Sequence, residues 1–547
     1  MNILNGEEHL KVKPGLNNSG NKKLLVHEKR KIDMKKIFFC VAMYLINYAA
    51  YMVAQQSAPV KVESGLLQGI VENGVTVYKG VPFASPPVGE LRWYQPLPPK
   101  SWEGVRMADK FSANPMQVMV NELGPWTAEY QPQGEISEDC LYLNIWTTAN
   151  SQEKYPVVVY IPGGAFTGGS GNVPVYNGEN LAKKGLVVVT INYRVGVFGF
   201  FAHPELTKES KQNSAGNYGL LDQVAALEWV KKNIHVFGGD PERVTIMGQS
   251  AGAASVHYLT ASPLAKGLFI RAIAQSGSNY KIGPGESLTS AEQNGIKFAQ
   301  AKGAASLAEL RKMSANDLLT ATTNQFRFSP IVDGWYLLKS VEEIFENGQH
   351  NDVPTLTGFV ADEGSYNDSY GKVSAQEFKL RVKQQTGIQA DQILKLYPTS
   401  TEDETGVSQK EFARDISMVS MFMWAQSREK TSKTNTYTYL FTHPQPGLTK
   451  ERFETFHSSE LPYVFNNLNH SNRPWTSEDA EIAETVSSYW KNFIETGNPN
   501  GKGLPKWPAF NESPEETMEL GDHIGARLFT ERDKFEVLKK LFKDDKN

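Results

Sequence analysis

The segment that decides the fold reads VTIMGQSAG, at residues 244–252. The run Val244–Met247 predicts a buried strand, and the alanine-rich sequence after Gly252 predicts a helix. Between them lies the pattern Gly-x-Ser-x-Gly, with Ser250 at its centre. In a strand–turn–helix context this pattern is typical of a nucleophile elbow, in which a strained turn exposes a serine hydroxyl. Glycines are needed at both ends because larger side chains would collide in so tight a turn.

Strands and helices alternate on both sides of this segment. The stretch Gly219–Val236 has apolar residues mostly three or four apart, as a helix requires. Apolar, β-branched runs that predict strands occur at Val157–Ile161, Leu186–Ile191, Ile270–Ala274, Thr355–Val360 and Thr436–Phe441. Such an alternation indicates a mostly parallel sheet covered by helices on both faces. We expect one α/β domain over residues 55–547, with long loops capping the C-terminal edge of the sheet, where ligand sites lie.

Composition excludes several classes of protein. The chain has 547 residues and a net charge of −4, which gives no electrostatic reason to expect nucleic-acid binding. Of its two cysteines, only Cys140 lies in the body of the chain, so no internal disulfide is expected. No Cys/His cluster has metal-ligand spacing, and we expect neither a metal nor another cofactor.

The N-terminal segment has the composition of an export signal. Residues 1–36 carry nine Lys and Arg against four Asp and Glu, which leaves a net charge of −9 on the rest of the chain. The apolar run Ile37–Ala54 follows, and small or polar residues come next. We expect cleavage near Gln55–Ala58, a periplasmic or secreted enzyme, and no stable membrane insertion. An uncleaved membrane anchor is the alternative, because 18 residues is near the minimum spanning length. Met34 is a natural start, which would make residues 1–33 an untranslated extension.

A serine nucleophile needs a base, and the chain offers several candidates. The base takes the hydroxyl proton and is itself oriented by a carboxylate. In the elbow fold the chain order is serine, acid, histidine. The histidines that follow Ser250 are His257, His350, His443, His457, His470 and His523. His257 falls on the elbow's own helix, while His350, His470 and His523 stand in polar surroundings. His457, flanked by apolar and aromatic residues, is the preferred base, and His443 remains its rival.

The acid and the oxyanion donors are expected at the same edge of the sheet. The pair Asp362-Glu363 directly follows the strand Thr355–Val360, so a carboxylate there would point towards the elbow. Asp333 competes as the acid, but we interpret it as a turn aspartate. Oxyanion donors are expected from the N–H of Ala251 and from Gly163-Gly164-Ala165, where small residues let the backbone approach a substrate.

At this point the sequence resembles a known family, the type-B carboxylesterases, which include the cholinesterases and the bacterial para-nitrobenzyl esterases. The resemblance covers nearly the whole body of the chain and implies the α/β-hydrolase fold. The motifs that carry it, besides the elbow, are Gly80–Ala84, Leu91–Trp93, Glu138–Trp146, Asn192–Arg194, Asn217–Gln223, Phe237–Pro241, Gly497–Asn500 and Trp507-Pro508.

The resemblance also implies a set of roles. It implies a serine hydrolase that cleaves small-molecule carboxylic esters through an acyl-enzyme on Ser250, with Glu363 as the acid and His457 as the base. The oxyanion donors would be Gly164, Ala165 and Ala251. Ser276 matches a family serine that supports the acid from behind.

Departures from the family pattern bear on the substrate. Pro115 stands where the usual disulfide partner of Cys140 would be, so the loop Met116–Asp139 is untethered. Tyr130 stands where cholinesterases have a cation-binding tryptophan, and the neutral Gln249 replaces an acidic residue next to the nucleophile. We therefore expect neutral short-chain or aryl esters as substrates. The expected substrate contacts are Tyr130, Phe166 and Gln249.

Two alternative functions stay open on the sequence alone. One is an esterase that removes acetyl or feruloyl groups from polysaccharides. The other is a non-catalytic binding protein of the same fold, which is disfavoured because Ser250, Glu363 and His457 are all present.

Overall fold

A computed structural model describes residues 55–277, 286–320, 325–447 and 450–542. These residues belong to a single unit of the chain, Gln55–Asn547. The predicted export signal lies outside the described residues, so its cleavage and the location of the enzyme stay predictions. In the described part of the chain, every helix is too short or too polar to span a bilayer.

Seventeen strands occur in the described residues. In chain order they are β1 (Gln55–Gln56), β2 (Val60–Val62), β3 (Gly65–Gln68), β4 (Ile70–Glu72), β5 (Val75–Pro82), β6 (Val105–Met107), β7 (Asn114–Pro115), β8 (Ile136–Ser137), β9 (Tyr142–Thr147), β10 (Tyr155–Ile161), β11 (Val187–Ile191), β12 (Gly239–Gln249), β13 (Arg271–Gln275), β14 (Thr355–Val360), β15 (Thr436–Phe441), β16 (Glu516–Leu520) and β17 (Gly525–Leu528).

Twelve of these strands form the main sheet, in the spatial order β1-β4-β5-β9-β11-β10-β12-β13-β14-β15-β16-β17. The pairs from β11 across to β16 are parallel, whereas the pairs at both edges are antiparallel. The C-terminal ends of the central strands therefore meet at one edge, where β12 ends in the elbow and β14 ends next to Glu363.

Sixteen α-helices occur in the same residues. They are α1 (Glu179–Lys183), α2 (Gly196–Phe200), α3 (Pro204–Glu209), α4 (Tyr218–Asn233), α5 (Ala251–Ala261), α6 (Leu288–Ala301), α7 (Leu307–Lys312), α8 (Ala315–Thr320), α9 (Val341–Glu346), α10 (Ala375–Thr386), α11 (Ala390–Ile393), α12 (Glu402–Glu429), α13 (Lys450–Phe453), α14 (Leu461–Val464), α15 (Ser477–Thr496) and α16 (Arg532–Leu541).

Both faces of the sheet are covered, because successive residues of a strand point to opposite sides. In β10, Val157 and Val159 belong to one hydrophobic core, and Val158 and Tyr160 belong to another. Helices α4 and α5 contribute to the first core, and α15 contributes to the second. The fold class expected from the sequence, an α/β-hydrolase with a covered and largely parallel central sheet, is confirmed.

The predicted strands are confirmed with small changes in their bounds. His350 lies in a loop with polar neighbours, as the sequence indicated. Its side chain is nevertheless buried, with its ring stacked on Phe345 at a centroid distance of 4.4 Å.

Candidate active site

Ser250 occupies a strained turn between β12 and α5. Its backbone has φ 59° and ψ −123°, in a region that non-glycine residues rarely adopt. The turn is held by the Ser250 N–H, which donates to the Gln275 carbonyl at 2.9 Å. A Cβ on Gly252 would lie 2.0 Å from the Ile161 carbonyl oxygen, and one on Gly248 would lie 2.4 Å from the Gly252 backbone. Only glycine fits at either position, so the steric requirement of the motif is met.

His457 and Glu363 are brought together by two adjacent backbone segments. Asp362 and Phe456 form an isolated parallel bridge, which places the residue after each of them side by side. The His457 Nδ1 then hydrogen-bonds the Glu363 Oε2. The other carboxylate oxygen of Glu363 accepts the Val360 N–H at 3.0 Å, which fixes the carboxylate against the end of β14.

The second ring nitrogen of His457 faces the elbow. Its Nε2 lies 3.2 Å from the Gln249 side-chain nitrogen, one residue before Ser250. Within the described residues, no hydrogen bond joins Ser250 Oγ to His457, so the amide of Gln249 occupies the lone pair that a serine proton would use. Burial acts to lower the pKa of His457, but the adjacent Glu363 carboxylate outweighs it and the net shift is upwards.

The alternative candidates for the base and the acid make their hydrogen bonds elsewhere. His443 contacts a carboxylate at each ring nitrogen, with Nε2 2.9 Å from Asp479 and Nδ1 bonded to Asp522. Asp333 accepts three backbone N–H groups in its own turn, as expected of a turn aspartate. Asp362 points away from His457 and accepts from the Tyr370 hydroxyl at 3.0 Å. The geometry therefore favours the pair of His457 and Glu363.

The glycine-rich loop after β10 packs directly on the elbow. A Cβ on Gly163 would lie 2.7 Å from the Gln249 carbonyl oxygen. Gly164 has φ 119°, and Ala165 and Phe166 have φ 54° and 61°, so three successive residues adopt left-handed backbone. Among the described residues, no acceptor is bonded to the N–H of Gly164 or Ala165. Strained backbone with unpaired donors beside a nucleophile is the arrangement that an oxyanion hole requires.

Three other predicted site residues, Ser276, Phe166 and Tyr130, lie in different surroundings. Ser276 shares a cavity with Glu363, and its buried hydroxyl makes no hydrogen bond among the described residues. Phe166 packs on Phe200 at 5.4 Å and on Tyr258 at 6.1 Å. Tyr130 is buried, with its hydroxyl accepting from Gln445 at 2.5 Å and its ring on Phe456. Its contacts do not reach Ser250, so this geometry gives no support to Tyr130 as a substrate contact.

Two residues near His457 were not identified from the sequence. The indole N–H of Trp126 donates to the His457 carbonyl at 2.9 Å, and the indole packs edge-on against the imidazole. Glu460 is fully buried, and its pKa is raised to about 7 by burial and by the nearby Glu363 carboxylate. Gln275, whose carbonyl holds the elbow, donates to Glu460 at 3.3 Å. The available signal was a glutamate directly before the apolar run Leu461–Phe465.

Comparisons with known proteins agree with this geometry. A carboxylesterase family model matches residues 56–537. The chain is 35% identical over 508 residues to the fumonisin B1 esterase of Sphingopyxis macrogoltabida, covering 88% of this chain and 91% of that protein. It is 34% identical to the para-nitrobenzyl esterase of Bacillus subtilis strain 168, covering 85% and 95%. The cocaine esterase of Homo sapiens is also 34% identical, covering 84% and 87%.

Solved structures extend the agreement to the backbone. A structure of PNB esterase superposes with a TM-score of 0.74 at 34% identity, covering 88% of this chain and 99% of that one. A family match across most of the described chain, together with this backbone agreement and an elbow serine beside a histidine–glutamate pair, identifies the chain as a member of the carboxylesterase family, which hydrolyses carboxylic esters.

Proposed function

We propose that Ser250 is the nucleophile, His457 the general base and Glu363 the carboxylate that orients it. The observation that carries the assignment is the hydrogen bond from His457 Nδ1 to Glu363, made while Nε2 of the same ring faces the elbow. In a neutral imidazole with Nδ1 protonated, Nε2 carries the lone pair that accepts the serine proton. Rotation of the Gln249 amide away from Nε2 would free it for Ser250.

The chemical steps follow from these positions. Ser250 Oγ attacks the ester carbonyl and gives its proton to His457, and the resulting oxyanion accepts from the N–H groups of Gly164, Ala165 and Ala251. The imidazolium then protonates the leaving alcohol, and an acyl-enzyme remains on Ser250. Water attacks the acyl-enzyme with His457 again as the base, which releases the acid and restores the serine.

We propose neutral short-chain or aryl esters as the substrate class. The support is the neutral Gln249 beside the nucleophile and an aromatic pair next to His457, in which Trp126 and Tyr366 lie 5.4 Å apart. The name of the Bacillus subtilis relative, para-nitrobenzyl esterase, points in the same direction. A screen of p-nitrophenyl esters of increasing acyl length measures both the activity and the chain-length preference.

The roles are tested by paired substitutions. Ser250→Ala should lower kcat by about six orders of magnitude, as in other hydrolases whose serine acts as part of a triad, with unfolding unchanged. An organophosphate should label Ser250 in the wild type. His457→Ala should do comparable damage, whereas His443→Ala is the matched control. Substantial activity in Ser250→Ala, or damage confined to His443→Ala, would reassign the roles.

We further propose that the enzyme acts outside the cytoplasm. The support is the basic segment followed by the apolar run Ile37–Ala54. N-terminal sequencing of the protein from its native host should find a start between Gln55 and Ala58. A soluble protein that begins before Met34 would exclude both the cleavage and a start at Met34.

A further inference from the structure

A cavity beside His457 is not used by the proposed mechanism. It encloses about 380 Å³, and the residues that define its character are Glu363, Tyr366, Tyr370, Arg414, Ser417 and His457. This volume lies within the range of small-molecule sites. Arg414 and Ser417 come from α12, which packs alongside β14 and β15. The cavity therefore joins the edge of the proposed catalytic pair to a long helix that carries a cation.

Arg414 is held in place but keeps donors free. Its Nε donates to the Ala361 carbonyl at 3.0 Å, and one terminal nitrogen lies 3.3 Å from the Asp362 carboxylate. In the described part of the chain, the other terminal nitrogen makes no hydrogen bond. The side chain is 31% exposed. A guanidinium anchored through Nε presents its remaining N–H groups in a fixed direction, which suits a planar carboxylate.

The two other cations near this side of the cavity are already paired with carboxylates. Lys410 pairs with Glu454 at 2.6 Å, and Arg452 pairs with Asp368 at 3.0 Å. Asp362 is buried, and its oxygens also accept hydrogen bonds from the Tyr370 hydroxyl and the Thr455 N–H. It makes a single contact with Arg414, at 3.3 Å. Burial also raises the pKa of Asp362, although Arg414 opposes that shift. Of these three cations, Arg414 makes the longest contact with its carboxylate, at 3.3 Å from Asp362.

We propose that this cavity receives the alcohol part of the ester and that Arg414 favours alcohols bearing a carboxylate, so that their esters join the neutral short-chain and aryl esters proposed above as substrates. The inference rests on the proposed function, in which the imidazolium of His457 protonates the leaving alcohol. The leaving group must then lie close to His457, which is one of the residues that line the cavity. The methylene stem of such an alcohol would pack on Tyr366, and its carboxylate would meet the free edge of the guanidinium.

The test compares two esters that differ only in charge. The substrates are 5-acetoxypentanoate and 5-acetoxypentanamide, which have alcohols of nearly equal acidity and length. In the wild type, kcat/KM for the anionic ester should exceed that for the amide by about tenfold at low salt, as a charge-assisted hydrogen bond would give. The preference should shrink with added salt because Arg414 is partly exposed. Shorter and longer acetoxy acids locate the best chain length.

Variants assign the preference to one side chain. Arg414→Met should reduce the anion-to-amide ratio to about one, chiefly through the KM of the anionic ester. Lys410→Met is the matched control, since it removes an equal charge one turn earlier on α12 from a residue already paired with Glu454. Its ratio should stay within twofold of the wild type. If Arg414→Met does not fold, inhibition of the wild type by 5-hydroxypentanoate, relative to its amide, still tests whether the site prefers the anion.

Each outcome decides a separate question. A wild-type ratio below twofold, or an unchanged ratio in Arg414→Met, would exclude the anion subsite while leaving the esterase assignment intact. Equal inhibition by the acid and its amide would also exclude it. If the wild type showed no Ser250-dependent hydrolysis of the neutral amide ester, the proposed function itself would be contradicted.

Discussion

At the scale of the single residue, the protonation of His457 depends on two neighbours with different chemistry. Glu363 stabilises the imidazolium through Nδ1, whereas Gln249 offers only a neutral amide to Nε2. An amide can donate to the neutral ring or, after turning over, accept from the charged ring. Gln249 therefore holds the imidazole in position without strongly favouring its neutral or its charged state. A carboxylate at the same place would favour the charged state.

Replacing this amide with a carboxylate should change the pH profile. In Gln249→Glu, a negative charge close to Nε2 would raise the pKa of His457. Because the free enzyme needs neutral His457, activity is lost as the pH falls through that pKa, and the acid limb of kcat/KM should move up by about one pH unit. Gln249→Met is the control without charge, and its acid limb should not rise. An unmoved acid limb in Gln249→Glu would mean that residue 249 does not face the base.

The site shows why some residues could be predicted from the sequence and others could not. Ser250, His457 and Glu363 follow from a local motif, from chain order and from a position just after an apolar strand. Trp126 contacts a backbone carbonyl 331 residues away, and no local pattern reports such a contact. Arg414 is equally invisible, because an arginine in a long polar helix is ordinarily a solvated residue. The role proposed for Arg414 depends on the cavity that α12 borders.

At the scale of the element, the central strands could be predicted from the sequence, whereas the strands at the end of the sheet could not. β14 and β15 were predicted to the residue because strands buried on both faces are continuous apolar runs. β12 begins five residues before its predicted start, since Gly239–Arg243 is polar and includes a proline. The last two strands of the sheet, β16 and β17, alternate or are largely polar, so their periodicity was too weak to identify them.

The loop Met116–Asp139 should depend on Trp126 for its position. No disulfide closes it, and Trp126 joins it to the segment that carries His457. Trp126→Phe removes one indole hydrogen bond but keeps an aromatic ring, a loss of about 1 kcal/mol. We expect kcat/KM to fall several-fold and proteolysis within the loop to accelerate.

A second indole serves as the control for this loop. Trp102 donates to the Leu66 carbonyl at the same distance, 2.9 Å, far along the chain from the site. Trp102→Phe should leave both the ester hydrolysis and the cleavage rate of the loop unchanged. If both tryptophan variants behaved alike, the anchoring role of Trp126 would be wrong.

At the scale of the whole molecule, stability should decline in mild acid. Burial, with a contribution from the Arg428 cation, lowers the pKa of His257 to about 3 and that of His350 to about 4. An unfolded histidine has a pKa near 6.5. The stability is therefore fully present above pH 6.5 and is lost as the pH falls towards the folded values, by about 2 kcal/mol per histidine at pH 5.

A substitution at His350 isolates one of these contributions. Unfolding in urea at pH 7.5 and at pH 5.0 gives the acid-induced loss for each protein. His350→Met should lose about 2 kcal/mol less than the wild type between these conditions, since a neutral side chain takes up no proton on unfolding. His235→Met, at an exposed position, should lose as much as the wild type. Equal losses in all three proteins would show that buried His350 does not titrate on unfolding.

The charge of the whole molecule should matter less for substrate choice than the few charges beside Ser250. The chain beyond residue 36 carries a net charge of −9, which attracts cations only diffusely and is screened by salt. A single carboxylate beside the nucleophile would be worth about 3 kcal/mol to a cationic alcohol at 5 Å and an effective dielectric near 20, and Gln249 lacks that charge. Butyrylcholine should therefore be no better a substrate than its uncharged 3,3-dimethylbutyl isostere, as judged by kcat/KM at moderate salt. Gln249→Glu should shift the ratio towards the cation. A wild-type preference for butyrylcholine of tenfold or more would mean that a cation site exists which Gln249 and Tyr130 do not account for.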